Sequence, residues 1–149
     1  MRFLTKFALA LVLPAFVPAE PFPPIVSVIY KADAASGWQA CPTPRVVDGD
    51  TIRCGSERVR LLGIDAPELH GCPNYRQCVT GDPVASTQSL REAMASGAVR
   101  YRMIKRDRYG RAVAVVESGG LNLSCWQIQQ SQAEYIGKWD DGRVIASSC

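Results

Sequence analysis

The chain has 149 residues, with 17 Lys and Arg against 14 Asp and Glu and six cysteines. That length suits one domain with a real hydrophobic core and leaves no room for a second. The near balance of charge argues against a protein that grips nucleic acid through its total charge, although Arg100, Arg102, Lys105, Arg106, Arg108 and Arg111 form a basic cluster.

The first stretch reads as an export signal. Arg2 and Lys6 precede an apolar run from Phe7 to Phe16, and Val17-Pro18-Ala19 is a small-residue cleavage pattern. The run is shorter than the roughly 18 to 20 residues a membrane span needs, so residues 1–19 are expected to be removed without leaving an anchor. Loss of Arg2 and Lys6 leaves 15 basic against 14 acidic residues. Residues 20–40 are rich in Pro, Ala and Ser and read as an extended leader, with Ile25 to Ile29 as a short edge strand. The domain is placed at residues 41–149.

In an exported chain an even number of cysteines reads as a disulfide framework. Six cysteines allow about 15 pairings. Cys72 and Cys78 are near enough in sequence to staple one loop, and Cys149 is expected to tie the tail to Cys125. Cys41 then falls to Cys54 if the segments around Asp48-Gly49-Asp50 pair as a hairpin.

Val46, Val47, Thr51 and Ile52 favour strands on both sides of the Asp48-Gly49-Asp50 turn, and Glu57 to Ile64 forms a third strand after Gly55-Ser56. Ala66-Pro67 ends it. Residues 69–82 are a loop. Asp82-Pro83 opens a helix whose apolar face is Val84, Thr87, Leu90 and Met94, and Gly97 closes it. Val99 to Ile104 alternates as a half-buried strand, Arg106 to Gly110 turns, and Ala112 to Val116 is a strand that Ser118-Gly119-Gly120 ends. Leu121 to Tyr135 is expected to be helical, with Leu123, Trp126 and Gln130 near one face, and Lys138 to Cys149 to be a tail.

The segment Arg45 to Glu68 holds more acid than a core needs. Asp50, Asp65 and Glu68 are hard oxygen donors of the kind that hold calcium or magnesium, and Arg60 has the planar fork that suits a phosphate oxygen. His70 is the single histidine and cannot build a multi-histidine zinc centre. There is no G-x-G-x-x-G and no P-loop, so nucleotide-cofactor folds have nothing to rest on.

The strings VVDGDT, RLLGIDAPE and DRYGR, in that order between residues 46 and 111, resemble the staphylococcal nuclease-like (thermonuclease) family. The resemblance implies a mainly β fold with packed helices, a five-stranded OB barrel. It also implies a calcium-dependent, sugar-nonspecific endonuclease acting on DNA and on RNA, with 3'-phosphate ends. Calcium falls to the carboxylates of Asp50 and Asp65 and the backbone carbonyl of Ala66, with Asp48 just outside. Glu68 matches the base or water positioner, Arg60 and Arg111 the phosphate-holding arginines, and Arg108 and Tyr109 substrate contacts. An exported monomer, periplasmic or extracellular and without a protein partner, is expected. The rival is a noncatalytic OB-type module that binds nucleic acid or protein. The loop at 69–82 departs from the lysine-rich loop of the best-known member, and Ser131 stands where glycine is common.

Overall fold

The computed structural model describes residues 36–149. The expected signal segment, its cut after Ala19 and the expected strand at Ile25 to Ile29 lie outside the described residues. Nine strands and three α-helices follow one another among those described, and the chain is mainly β with packed helices.

The acidic turn forms as its residues dictate. Strands β2 (Arg45–Asp48) and β3 (Thr51–Cys54) pair antiparallel around Gly49-Asp50, and β3 pairs antiparallel with β4 (Glu57–Leu61). Gly55, at φ 61°, makes the second reversal. The expected strand to Ile64 is shorter than read. Gly63, at φ 74°, interrupts it, and Ile64–Asp65 is a separate strand, β5. That break turns Asp65 back towards Arg60 of β4.

Helix α1 (Pro83–Met94) begins as read: the Asp82 carboxylate accepts from the amides of Val84 and Ala85, and Pro83 opens the first turn. Its buried face is Ser86, Thr87, Leu90 and Ala93, while Val84 is 63% exposed. The polar Ser86 takes the inward place because its hydroxyl donates to the Gln132 carbonyl at 2.7 Å.

Strands β6 (Val99–Arg106) and β7 (Ala112–Ser118) form the longest antiparallel ladder, and β7 also lies parallel to β4. The sheet order β6-β7-β4-β3-β2 gathers the five strands read from the sequence. Strand β1 (Trp38–Ala40) extends the sheet on the β6 edge, so the last residues of the expected leader are paired backbone. No ladder closing β2 onto β6 is present among the described residues. Ile52, Val59, Leu61, Ala112, Ala114 and Val116 fill the inner face, with Leu90 and Leu123 pressed onto it from the helices.

After β8 (Leu121–Asn122), helix α2 spans only Leu123–Gln129, not the whole stretch to Tyr135. Asn122 caps its start, and the amides of Gln132 and Ala133 return to the Gln127 carbonyl. Ser131 adopts φ 56°, a left-handed conformation that glycine takes at less cost. The early stop has a structural use. It frees Glu134–Tyr135 to form β9, which pairs antiparallel with β5 and fixes the backbone beside Asp65. Gln130, expected on the apolar face, is exposed.

The tail is better built than its sequence suggested, with a short helix α3 (Val144–Ser148) and a fully buried Ile145. Asp140 anchors it, accepting from the amides of Ile145 and Ala146 and from the Tyr135 hydroxyl at 2.9 to 3.0 Å. Burial opposes that charge, yet these three donors hold the Asp140 carboxyl below its ordinary range. All three expected disulfides form: Cys41–Cys54, Cys72–Cys78 and Cys125–Cys149. No helix among the described residues is long and apolar enough to cross a membrane.

Gly49 sits where the hairpin, α1 and the segment after β5 meet. A Cβ there would lie 2.0 Å from the Ser86 hydroxyl and 2.8 Å from the Ala66 Cβ. Its carbonyl also accepts from Gln127 Nε2 at 2.7 Å. Gly49→Ala is therefore expected to cost about 1–3 kcal/mol through overpacking. Urea unfolding of the oxidised protein checks this, and an unchanged midpoint would show that the contact yields freely.

Candidate functional site

Arg60 is the hub of the site. It leaves β4 at a position 8% exposed and meets two buried carboxylates, each on a residue 3% exposed. Its two terminal nitrogens engage both Asp50 oxygens at 2.9 Å, a bidentate pair, and Nη2 also reaches Asp65 Oδ1 at 2.7 Å. The guanidinium lies over the Trp139 ring, 5.3 Å from its centre. Burial weakens the case for a charged arginine, but Asp50 and Asp65 outweigh it and raise the Arg60 pKa.

The acids are held as tightly as the arginine. Asp50 Oδ1 accepts from the Thr51 hydroxyl at 2.8 Å, and Oδ2 from the Ala66 amide at 3.2 Å. Asp48 Oδ1 accepts from the Asp50 amide, which bends the hairpin turn so that the two carboxyls face each other. Burial first, and then the Asp50 charge, push the Asp48 carboxyl up to about 6. Burial also raises Asp65, against the pull of Arg60.

Glu68 lies just after this group and pairs with Arg76 through Oε1, and the same Arg76 nitrogen stands 3.6 Å from Asp65. Arg111 belongs to the far side, where Asp107 accepts from its Nε at 2.7 Å and from its amide at 3.0 Å. This closes the Asp107–Gly110 turn and aims Arg111 beside Tyr109, whose ring is 5.4 Å away. Arg108 donates to the Tyr109 hydroxyl at 2.7 Å. Tyr109 is 58% exposed, and its hydroxyl pKa is lowered, chiefly by the Tyr75 hydroxyl and then by Arg108.

One cleft of about 770 Å³ joins these groups. Arg60, Glu68, Arg108, Tyr109 and Arg111 line it, together with Arg58, Arg76, Lys105 and Arg106. The wall is thus strongly cationic, with Glu68 and Asp107 as its acids. Asp48, Asp50, Asp65 and Ala66 are not in the lining; Asp50 and Asp65 are tied to it through Arg60, and Asp65 also through Arg76. His70 is an exposed loop residue.

Asp50, Asp65 and the Ala66 carbonyl are hard oxygen donors, and Arg60 with Arg76 does not balance Asp48, Asp50, Asp65 and Glu68. That chemistry fits a hard divalent cation such as calcium. Among the described residues no group of three or more His, Cys, Asp or Glu side chains is drawn together as a metal site. Arg60 lies between the two carboxylates.

Four neighbours of the site escaped the sequence reading. Arg76 is carried by the Cys72–Cys78 loop, Trp139 by the tail, Thr51 by β3 and Asp107 by the basic turn. A signal was present only for Asp107, four residues before Arg111, a spacing that allows a local ion pair.

Residues 58–143 match a family model described as staphylococcal nuclease homologue. The matched span holds Arg60, Asp65, Ala66, Glu68, Arg108, Tyr109 and Arg111, and starts after Asp48 and Asp50. The chain is also similar to the succinoglycan biosynthesis protein ExoI of Rhizobium meliloti (strain 1021). The two are 30% identical over 112 residues, 73% of this chain and 59% of that protein, so the chain spans about three fifths of that relative's length.

The crowding of Asp48 against Asp50 has a measurable sign. A carboxyl raised from 3.8 to about 6 in the folded state binds more protons there than in the unfolded chain. Its penalty on stability is full above pH 6 and vanishes as pH falls through 4. Asp48→Asn keeps the Oδ1 acceptor and removes the charge. In chelator it is expected to stabilise the fold by about 1–2 kcal/mol near pH 8, with the gain fading towards pH 4. Thermal melts across that range check it, and a gain independent of pH would contradict the assignment.

Proposed function

Because the chain belongs to the staphylococcal nuclease homologue family, we propose that it is a calcium-dependent phosphodiesterase that cleaves DNA and, through the same backbone chemistry, RNA. Such a family is of nuclease or nucleic-acid-binding type. The observation that carries the catalytic reading is Arg60, which joins a buried acid group to a cleft lined by Arg76, Arg108 and Arg111.

The reaction needs charge stabilisation more than covalent chemistry. A phosphodiester repels hydroxide, and its pentacoordinate transition state carries more charge on its oxygens than the reactant does. Arg111, and Arg60 after its nitrogens leave Asp50 and Asp65, would supply permanent, planar cations for those oxygens, a geometry lysine would lose. Calcium, held by Asp50, Asp65 and the Ala66 carbonyl, would supply Lewis acidity at a phosphoryl oxygen. Water attacks phosphorus, the bond to the 5'-oxygen breaks, and the phosphate stays on the 3' side. Glu68 orients that water and takes its proton; Arg76 engages Oε1, which leaves Oε2 as the acceptor. The Asp107 pairs set the direction of Arg111 before substrate arrives.

Export supplies the setting: three disulfides suit an oxidising compartment, the periplasm or beyond the cell. The protein acts there as a monomer released from its signal segment. Arg60, closed onto Asp50 and Asp65, is the feature that favours the rival, a noncatalytic nucleic-acid or protein binding module.

Arg60→Ala is a poor test, since it removes the close partner of two buried carboxylates, the sole cation paired with Asp50, at a cost of about 3–5 kcal/mol. Glu68→Gln and Arg111→Ala alter partly buried groups at the cleft and are better. Each is expected to lower kcat on single-stranded DNA in calcium by about 10²–10³-fold, with unchanged melting. Full activity in both variants would overturn the residue roles, and an inactive parent would favour the binding module.

A further inference from the structure

The three disulfides differ in what they hold. Cys41 and Cys54 are both buried, and Cys125 is buried opposite an exposed Cys149. Cys72 is exposed and Cys78 half-buried, so this bridge has neither partner in the core. It also closes the shortest loop, with a sequence separation of 6 against 13 and 24, and a short loop restricts the unfolded chain least. Residues 66–82 hold no strand or helix, and no residue from Glu68 to Ala85 is buried. Opening this bridge therefore leaves the core intact. What the bridge fixes is Arg76. Inside the closed ring the Arg76 amide donates to the Pro73 carbonyl at 3.2 Å, while the side chain engages Glu68 and stands 3.6 Å from Asp65. The Arg76 and Glu68 side chains are 26% and 29% exposed, so water screens their attraction, and a free arginine would give up much rotamer freedom to stay there. Ring and turn meet that cost in advance by fixing the backbone from which Arg76 reaches.

We propose that Arg76 is a positioning residue for Glu68, and that the Cys72–Cys78 bridge makes this positioning redox-dependent, so that the site works with the bridge closed and is slow with it open. The inference rests on the reading of Glu68 as the group that handles the attacking water. With the bridge closed, Arg76 holds Oε1 and the carboxylate presents Oε2; with it open, Glu68 turns freely and the water loses its fixed acceptor. The exchange balances with a dithiol. One thiolate of the dithiol attacks the exposed Cys72 sulfur, the bond to Cys78 breaks, and the second thiol releases the mixed disulfide. Cys72 and Cys78 take up two electrons and two protons as thiols, and the dithiol leaves as its own disulfide. A dithiol oxidant runs the exchange in reverse. On the export reading this confines cleavage to its proper place: the bridge is open among the reduced thiols where the chain is made and closes in the oxidising compartment.

The test compares kcat and KM on single-stranded DNA in calcium for the oxidised protein and for protein held in graded dithiothreitol, with opened cysteines mapped by alkylation and mass spectrometry. Cys72 and Cys78 are expected to open first, with cooperative melting retained. At that point kcat should fall about 10–100-fold while KM stays within about twofold. The double variant Cys72→Ser and Cys78→Ser should show the same loss without reductant and no further response to it. Arg76→Ala should likewise carry the loss and be insensitive to opening of the bridge, whereas Arg76→Lys, which keeps a cation for Glu68, should retain part of both the activity and the response. The proposal is overturned if another disulfide opens first, if the loss lies in KM or accompanies unfolding, or if Arg76→Ala still loses activity on reduction by the parent's factor. An oxidised parent that does not cleave defeats the catalytic reading and this inference with it. A parent that cleaves equally well with the bridge open and closed defeats this inference alone.

Discussion

The structure turns on a single guanidinium with too many acids around it. Arg60 is bidentate to Asp50, bonded to Asp65 and stacked over Trp139, and it is almost removed from water. Buried charges are tolerated only when paired and hydrogen-bonded, so Asp50 and Asp65 require Arg60 as much as it requires them. That requirement shapes the chain around it. The hairpin turn must bring Asp50 under β4, the break at Gly63 must return Asp65, and the tail must lay Trp139 across the stack.

The elements far from the site can be understood by the same demand. Helix α2 stops at Gln129 so that Glu134–Tyr135 can pair with β5, and Asp140 then binds Tyr135 to the tail. Gln127 donates to the carbonyls of Gly49 and Ser86, which ties the acidic turn to both helices. Its Oε1 is the buried side-chain atom without a hydrogen-bond partner among the described residues. The Cys125–Cys149 bond secures the tail from the other end. A site made of opposed charges is thus supported by hydrogen bonds, those of the Asp140 carboxylate among them, and by a covalent closure of the tail.

Features governed by near neighbours were legible in the sequence. Asp82 capping α1, the hairpin at Asp48-Gly49-Asp50 and the closure of Cys72 on Cys78 each depend on a few adjacent residues. The motif residues Arg60, Glu68, Tyr109 and Arg111 do line one cleft, while Asp50 and Asp65 are buried outside its lining. What stayed hidden depends on chain folded back from elsewhere. The helical pattern after Leu121 contained no sign that β5 would claim residues 134 and 135. Val84 looked apolar enough for the core, but the inward place went to Ser86, whose hydroxyl had a carbonyl partner 46 residues away. Arg76 was one polar residue in a loop until the disulfide and Glu68 gave it a position.

Chemistry of this kind leaves its mark on the product. The most direct measurement is end-group analysis of single-stranded DNA incubated with the oxidised protein in calcium and in chelator. The account predicts fragments with 3'-phosphate and 5'-hydroxyl ends in calcium and intact strand in chelator. Cleavage that persists in chelator, fragments with 5'-phosphate ends, or binding without cleavage in calcium would contradict it.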